Sequence, residues 1–300
     1  MTNNEKEMLE KFLQYGDLIN ANLIFMGYEE GVAKLPTPHD VQISIEARRL
    51  LHADLLYKPY RILVNGINDD DGWYIDEQHW DFVKYHVGPL THAIRAAIAG
   101  LGYPIAWTPP TVNVINMQTR LHWLLLPGNR THNYTPHDEK IYAKYNHRIS
   151  RHMIDFYPFP KRGKKIGYWD ATHHNIHPIL SHHTYYNYYN TPSNNRWNII
   201  SKLYNLLPMN VTVSYAGKDK GIFLLLNFYK AIGFTSFRLL NTGLINPIYT
   251  GPIIGSHTPK DFLIGYRTKK NGQSQIVALT PFFGNGAFGY HDIDALSTWL

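Results

Sequence analysis

A short apolar run that ends in paired carboxylates between glycines is the feature that most restricts how this chain can fold. Residues 22–31 read NLIFMGYEEG, so the apolar run stops at Gly27 and is followed by Glu29, Glu30 and Gly31. Such a run between turn signals is typical of a buried strand in a parallel sheet. Ligands of these sheets bind at the carboxyl ends of the strands. The segment therefore predicts a ligand site, and the alternative is a structural strand followed by a solvated acidic turn.

Further strand and helix patterns alternate along the chain, which indicates an α/β fold. Runs rich in β-branched and aromatic residues predict strands at 153–157, 210–216, 262–266 and 275–279. Helical spacing of apolar residues predicts helices at 41–56, 112–126, 222–231 and 292–300. Pro158 and Pro160 are expected to end the 153–157 strand, residues 69–72 to form an acidic turn, and KKNG at 269–272 to form a hairpin turn. Since no repeat or linker divides the chain, we predict a single α/β domain over 1–300, with a His/Tyr-rich insertion at about 163–200.

Composition excludes several classes of protein. The chain has 300 residues, 44% of them hydrophobic, which is enough to bury a large core. It has no cysteine, which excludes disulfides, thiolate zinc sites and a cysteine nucleophile. The first residues form a polar helical pattern, and no segment has about 18 uninterrupted apolar residues. We therefore expect a cytoplasmic location and no membrane partner.

The charge balance favours an anionic partner. The formal net charge is +6 and the pI is about 9.2, and nucleic acid is the commonest anionic partner of such proteins. The clearest basic cluster is Lys161, Arg162, Lys164 and Lys165, and Lys218 follows a predicted strand. These residues are the candidate nucleic-acid surface. The alternative for the cluster is a solvated loop.

Residues 166–198 have the most unusual composition, with five histidines followed by tyrosines and asparagines. One interpretation is an aromatic surface on which bases stack, since each stacked base contributes about 1–3 kcal/mol. The other is a polar excursion that packs over the sheet. The histidine spacings do not favour zinc, because neither an obvious helix nor a third acidic ligand accompanies them. We predict no metal and no cofactor.

The order of four motifs resembles the uracil-DNA glycosylase superfamily, most closely its divergent members with a G-x-E-E-G loop. The motifs are IFMGYEEG at 24–31, MIDFYPFPKR at 153–162, VTVSYAGKDK at 211–220 and VALTPFFGNGAFG at 277–289. The resemblance implies a three-layer α/β/α sandwich with a mostly parallel central sheet of about four to five strands. It also implies a site at the carboxyl ends of the strands that receives an extruded base during DNA repair.

The resemblance also implies roles for individual residues. Glu29 and Glu30 occupy the loop that positions or activates water, and a carboxylate can orient water while it stabilises the cationic sugar. Asp155 lies nearest to the asparagine that reads the uracil edge. An ionised aspartate offers no donor, so a preference for uracil is not implied. The candidate substrate-binding residues are Gly27, Tyr28, Gly31, Asp155, Tyr157, Phe282, Phe283 and Asn285.

The last motif departs from the family pattern. Many active members have a histidine before Pro-Ser, whereas this chain reads Thr280-Pro281-Phe282-Phe283, with Phe282 in place of the histidine. Loss of one preorganised donor costs about a hundred- to thousandfold in rate, so weak, altered or absent activity is expected. The two phenylalanines could act as an apolar wedge in a DNA stack. The alternative is that they pack in the core.

Three functions remain open from the sequence. The first is a uracil-DNA-glycosylase-like protein that binds a nucleobase or nucleic acid and hydrolyses an N-glycosidic bond. The second is a hydrolase of a nucleotide or small anion that uses Glu29 and Glu30, with or without a divalent cation. The third is a non-catalytic module that binds nucleic acid or protein.

Overall fold

The computed structural model describes most of the predicted elements. The described residues are 1–16, 18–31, 45, 49, 57–64, 67–76, 117–118, 120–121, 124–125, 151–161, 175–192, 194–207, 209–215, 220–244, 258–283 and 287–300. They form an α/β fold around one mixed sheet, which confirms the predicted fold class. No helix in these ranges is long and apolar enough to cross a membrane.

Nine strands form the sheet within the described part of the chain. They are β1 (Phe12–Gly16), β2 (Leu23–Gly31), β3 (Tyr57–Val64), β4 (Ile67–Asp76), β5 (Arg151–Lys161), β6 (Val211–Tyr215), β7 (Thr235–Asn241), β8 (Asp261–Thr268) and β9 (Ser274–Thr280). Their order is β3-β4-β1-β5-β2-β6-β9-β8-β7. The four neighbours β5, β2, β6 and β9 are parallel. Antiparallel pairs join β3 to β4, β1 to β5, β9 to β8 and β8 to β7.

The helices begin where their sequences supply capping groups. They are α1 (Asn3–Glu10), α2 (His182–Tyr189), α3 (Asn195–Leu206), α4 (Lys220–Ala231) and α5 (Tyr290–Ser297), with a 3-10 turn at Thr242–Leu244. Thr2 and Glu5 form a capping box at α1. The Asn194 side chain accepts from Trp197 N at 2.7 Å and caps α3. These bonds satisfy backbone N–H groups that the first turn leaves unpaired.

Apolar side chains cover both faces of the central sheet. Along β2, Ile24 and Met26 belong to one apolar cluster, while Leu23 and Phe25 belong to the other. The first cluster includes side chains of α1, α2, α3 and α4; the second includes α5 and the Gln118 segment. We use that name for the helical residues Met117, Gln118, Arg120, Leu121, Leu124 and Leu125. Since side chains alternate across a strand, burial on both faces explains why β2 is a continuous apolar run.

The structure corrects several predicted elements. Pro158 and Pro160 do not end β5, which continues to Lys161. Proline is tolerated there because β1 pairs with β5 only at residues 152 and 153, and the pairing with β2 is irregular before Lys161. Residues 69–72 are part of β4 and not a turn. The sheet also has nine strands where about four to five were predicted.

Other predicted elements agree with the structure. The strands predicted at 210–216, 262–266 and 275–279 correspond to β6, β8 and β9. Gly272, in the predicted hairpin turn, has a φ of +84°, which glycine adopts without strain. Of the helix predicted at 41–56, only Ile45 and Arg49 fall among the described residues, and both are helical.

Candidate functional site

The four parallel strands align one residue each at their carboxyl ends. In the strand register, Gly27 of β2 is opposite Asp155 of β5 and Tyr215 of β6. Tyr215 is in turn opposite Thr280 of β9. The chain passes from β2 to β5 on one side and returns to β6 on the other, so β2 and β6 flank a topological switch point. Ligands of open α/β sheets bind beside such a point, and we call this line the carboxyl-end row.

Gly27 leaves space in the carboxyl-end row that a neighbouring carboxylate occupies. A Cβ at this position would lie 1.7 Å from Oδ1 of Asp155 and 3.0 Å from its Cγ. The same point is 3.6 Å from the hydroxyl oxygen of Tyr215. Any larger residue would therefore displace the carboxylate. The absence of a side chain at Gly27 lets Asp155 and Tyr215 approach each other over the backbone of β2.

Tyr215 supplies a protonated hydroxyl to this position. Burial raises the pKa of its phenol well above the ordinary value, and the charge of Asp155 raises it further, while the hydrogen bond from Gln118 acts in the opposite direction. Gln118 Nε2 donates to the Tyr215 hydroxyl at 3.2 Å. Because that oxygen accepts from Gln118, its own hydrogen is directed elsewhere and can be donated.

Gln118 brings a second polar group to the same place. Its side chain is 0% exposed, and its Oε1 has no hydrogen-bond partner within the described part of the chain. A buried amide oxygen without a partner carries a desolvation cost of about 1–3 kcal/mol. A ligand that donates a hydrogen bond would remove this cost. Oε1 is therefore an acceptor that indicates a ligand beside Tyr215.

Aromatic rings form the wall next to Tyr215. The Phe283 ring stacks on Tyr215 with centroids 5.1 Å apart and an interplanar angle of 21°. The Phe282 ring lies 6.0 Å from Tyr215 at 64° and is 37% exposed. Phe283 is fully buried against Phe25 and Phe288. Phe283 thus packs in the core, as the alternative predicted, and Phe282 is the ring with an exposed face.

Asp155 is held in position through its backbone. The guanidinium of Arg196 is buried and donates to the carbonyl oxygens of Asp155, Phe156, Glu10 and Phe12. Burial lowers the pKa of Arg196 to about 10, although the charge of Asp155 raises it. Arg196 therefore remains cationic at neutral pH. It ties β5 to the end of α1 and the start of β1 at the strand position that carries the carboxylate.

A buried ion pair anchors the Gln118 segment to α5. Arg120 Nε donates to Oδ1 of Asp294 at 2.9 Å, and Arg120 Nη2 donates to Oδ2 at 3.1 Å. Both side chains are almost completely buried, at 1% and 0% exposure. The two parallel bonds fix the orientation of the guanidinium as well as its distance. Gln118 precedes Arg120 by two residues, so this pair also holds the segment that carries Gln118.

Glu29, Glu30 and Gly31 lie on a strand and not on the loop that the sequence predicted. β2 pairs with β6 only as far as Gly27, but it pairs with β5 as far as Gly31. The strand continues because β5 extends beside it past its prolines. The backbone of these residues therefore forms the carboxyl-terminal extension of β2. Their catalytic role stays a prediction, because the structure describes their backbone and not their carboxylates.

Tyr28 and Tyr157 are not brought together with Asp155. Their rings contact each other at 4.7 Å within the apolar cluster on the opposite face of the sheet. Both rings are buried there, and the Tyr157 hydroxyl donates to Oδ1 of Asn190 at 2.5 Å. Tyr28 follows Gly27 directly, and strand alternation directs it to the other face. The structure therefore assigns these two predicted substrate contacts to the core.

The described part of the His/Tyr-rich segment packs over the sheet. Tyr185, Tyr186 and Tyr189 are buried in the cluster on the same face as Tyr157, and the Tyr189 hydroxyl donates to Glu10 at 2.7 Å. These rings contact protein on all sides and cannot stack on bases. For them the base-stacking interpretation is wrong, and the alternative of a packed excursion is correct.

Several predicted site residues lie outside the described residues. They are Arg162, Lys164, Lys165, Lys218 and Asn285. Lys161 is the last residue of β5. A search of the described ranges finds no group of three or more histidine, aspartate or glutamate residues that could hold a metal ion. The candidate nucleic-acid surface therefore stays a prediction.

Sequence reasoning missed two members of the site, Tyr215 and Gln118. Tyr215 ends a β-branched strand, so counting to the carboxyl end of β6 could have found it. Gln118 had no local signal, because its position depends on how the Gln118 segment packs on β6. Comparison of the chain with models of known protein families, with curated proteins and with solved structures finds no match.

Proposed function

We propose that this chain is a uracil-DNA-glycosylase-like protein that binds a nucleobase of nucleic acid over Gly27, at the carboxyl ends of its parallel strands. The carboxyl-end row carries the proposal. Asp155, Gly27, Tyr215 and Thr280 belong to the four motifs that resemble the superfamily, one residue to each motif. Motifs far apart in sequence that meet in one line across adjacent strands support a common site.

The layering of the fold supports the same proposal. We infer a three-layer α/β/α sandwich, because helices contribute to apolar clusters on both faces of the central strands. Such sandwiches leave the carboxyl ends of the strands accessible to ligands. The net charge of +6 supports an anionic partner such as DNA. A cytoplasmic location belongs to the same proposal.

The chemistry of the site suits a planar heterocycle with polar edges. Asp155 accepts hydrogen bonds, the Tyr215 hydroxyl donates one, and the exposed face of Phe282 offers a surface for stacking. If the bound nucleotide is hydrolysed, Glu29 or Glu30 orients the attacking water and stabilises the cationic sugar. Phe282 cannot donate to the departing base, so the rate is expected to be about a hundred- to thousandfold below that of a member with a donor there.

A cleavage assay tests the enzymatic part of this proposal. Single-stranded and mismatched duplex DNA that carries uracil, hypoxanthine or xanthine is incubated with the wild-type chain, Glu29→Gln and Glu30→Gln. Asp261→Asn, a change on β8 at a carboxylate that bonds only locally to Asn241, is the matched control. Abasic sites that form with wild type and control but not with a glutamine variant support hydrolysis and identify the residue that handles water.

Binding measurements test the rest of the proposal. Titration of the wild-type chain with single-stranded DNA at low salt is expected to show binding that weakens steeply as salt rises, because phosphate contacts release counterions. Cleavage absent from all substrates, with binding retained, would reduce the proposal to a non-catalytic module. Absence of both would refute it.

A further inference from the structure

The polar groups over Gly27 offer more acceptors than donors. Asp155 contributes a carboxylate, whose two oxygens accept up to about four hydrogen bonds. Gln118 contributes a buried amide oxygen that has no partner within the described ranges. The donor is the hydroxyl of Tyr215, which accepts from Gln118 and therefore directs its hydrogen away from it. A ligand that fits must present adjacent donors and a neighbouring acceptor.

The edges of the nucleobases differ in this respect. Guanine presents the O6 carbonyl, the N1–H and the N2 amino group in a row, which is one acceptor followed by adjacent donors. Uracil presents a single N–H between carbonyl oxygens. A carboxylate that faces uracil would accept one hydrogen bond and meet carbonyl oxygens beside it, which is repulsive. Hypoxanthine has the O6 and N1–H of guanine but lacks the amino group.

We propose that the site over Gly27 selects a 2-amino-6-oxopurine edge, that is, guanine or a guanine altered elsewhere on its rings. Asp155 accepts from N1–H and the N2 amino group, and the Tyr215 hydroxyl donates to O6. This inference rests on the proposed function, because it specifies the base that the same site binds.

Three features of the site carry this selection. The carboxylate of Asp155 is half-buried, so the hydrogen bonds that it accepts form in a partly desolvated place where they are stronger than in water. Arg196 fixes the backbone of Asp155, and Gly27 leaves room for the carboxylate over β2. Both features orient the acceptor before a ligand arrives. A charged, bidentate acceptor in a fixed position discriminates between edges by geometry as well as by energy.

Binding of nucleosides tests this selection directly. Guanosine, inosine and uridine are titrated at millimolar concentration against the wild-type chain, Asp155→Asn and the control Asp261→Asn, with saturation-transfer NMR and calorimetry as readouts. Guanosine is expected to bind wild type and control about tenfold or more tightly than inosine or uridine, since a bidentate base contact discriminates by about 5- to 150-fold.

Asp155→Asn separates recognition from folding. Asparagine has the same shape but offers one acceptor and one donor, so guanosine affinity should fall at least about tenfold. Inosine or uridine should then bind as well as guanosine or better. This reversal is not expected from a change that merely loosens the fold.

The outcomes separate the inference from the function on which it rests. Equal binding of the three nucleosides, or tighter binding of uridine to wild type, would overturn the guanine selection and leave a nucleobase site in place. Binding that Asp155→Asn does not alter would also overturn it. If no nucleoside binds and single-stranded DNA does not bind at low salt, both the inference and the proposed function fail.

Discussion

Replacing Arg120 with methionine should cost about 3–5 kcal/mol of unfolding free energy at neutral pH, because it leaves an unpaired carboxylate in the interior. Asp294 is fully buried and receives two hydrogen bonds from Arg120, at 2.9 and 3.1 Å. Methionine fills a similar volume but supplies neither the charge nor the donors. The cost therefore arises mainly from the desolvated charge that remains and not from the lost contact.

The pH dependence gives this prediction its sign. Burial raises the pKa of Asp294, and the hydrogen bond and charge of Arg120 partly oppose that rise. Without Arg120 the folded-state pKa must rise further above the unfolded value. Such a carboxyl binds its proton more tightly when folded, so its contribution is most favourable below the unfolded pKa and is lost as pH rises through the folded pKa. The deficit of Arg120→Met relative to wild type should therefore shrink as the pH is lowered.

Urea denaturation, followed by circular dichroism at neutral and mildly acidic pH, measures both effects. The double variant Arg120→Met/Asp294→Leu should recover to within about 2 kcal/mol of wild type, since an apolar pair replaces a buried ion pair at little cost. Lys11→Met is the surface control. It breaks the exposed pair between Lys11 and Glu7, at 2.8 Å, and should cost at most about 1 kcal/mol.

Two results would contradict the reasoning on Arg120. One is a deficit that stays the same at neutral and acidic pH, which would mean that Asp294 is not the source of the cost. The other is a double variant that is less stable than Arg120→Met alone. If the prediction holds, Arg120→Met should also weaken guanosine binding, because the pair anchors the segment that carries Gln118.

Four further changes test other parts of the structure. Gly27→Ala should change the unfolding free energy in urea by less than about 1 kcal/mol, since the strain of rotating Asp155 is offset by the lower backbone entropy cost of alanine, yet it should abolish guanosine binding; a loss of several kcal/mol would show that the carboxylate cannot move. Arg196→Met should lose at least about 3 kcal/mol in the same assay, because buried carbonyl oxygens of α1, β1 and β5 lose their donor; an unchanged midpoint would rule out that anchoring role. Gly265→Ala should cost about 1–3 kcal/mol, because its Cβ would lie 2.4 Å from the ring of Phe237, and the cost should largely disappear in a Phe237→Ala background. Burial raises the pKa of Tyr204 to about 12, so the folded state retains this proton above pH 10 while the unfolded state loses it, and the unfolding free energy should fall by about 1 kcal/mol by pH 11; Tyr204→Phe should remove that part of the alkaline slope.

Local sequence determined the elements whose signals are complete within a few residues. β6, β8 and β9 were predicted because β-branched and aromatic runs suit a buried, pleated surface. The turn at 269–272 was predicted because glycine tolerates the positive φ that the hairpin needs. The carboxyl end of β2 was identified as a ligand site from its apolar run and Gly27. Each of these inferences depends on the preferences of neighbouring residues along the chain.

Where a partner strand decided the outcome, local signals failed. β5 continues through Pro158 and Pro160 because an irregular stretch of pairing with β2 tolerates residues without an N–H. β4 contains an acidic run that would form a turn in isolation, but it pairs with β3 on one side and β1 on the other. Strand pairing supplies backbone hydrogen bonds from residues distant in sequence, and these outweigh local propensity.

The sequence by itself determined the α/β class, the main parallel strands and the position of Gly27 at the end of one of them. Only the tertiary structure decided which side chains meet there. Register aligned Asp155 with Gly27 and Tyr215, alternation directed Tyr28 to the opposite face, and packing of the Gln118 segment brought an amide to Tyr215. The physical reason is that a site is made of contacts between strands and layers, and the energies of those contacts depend on residues more than a hundred positions apart in the chain.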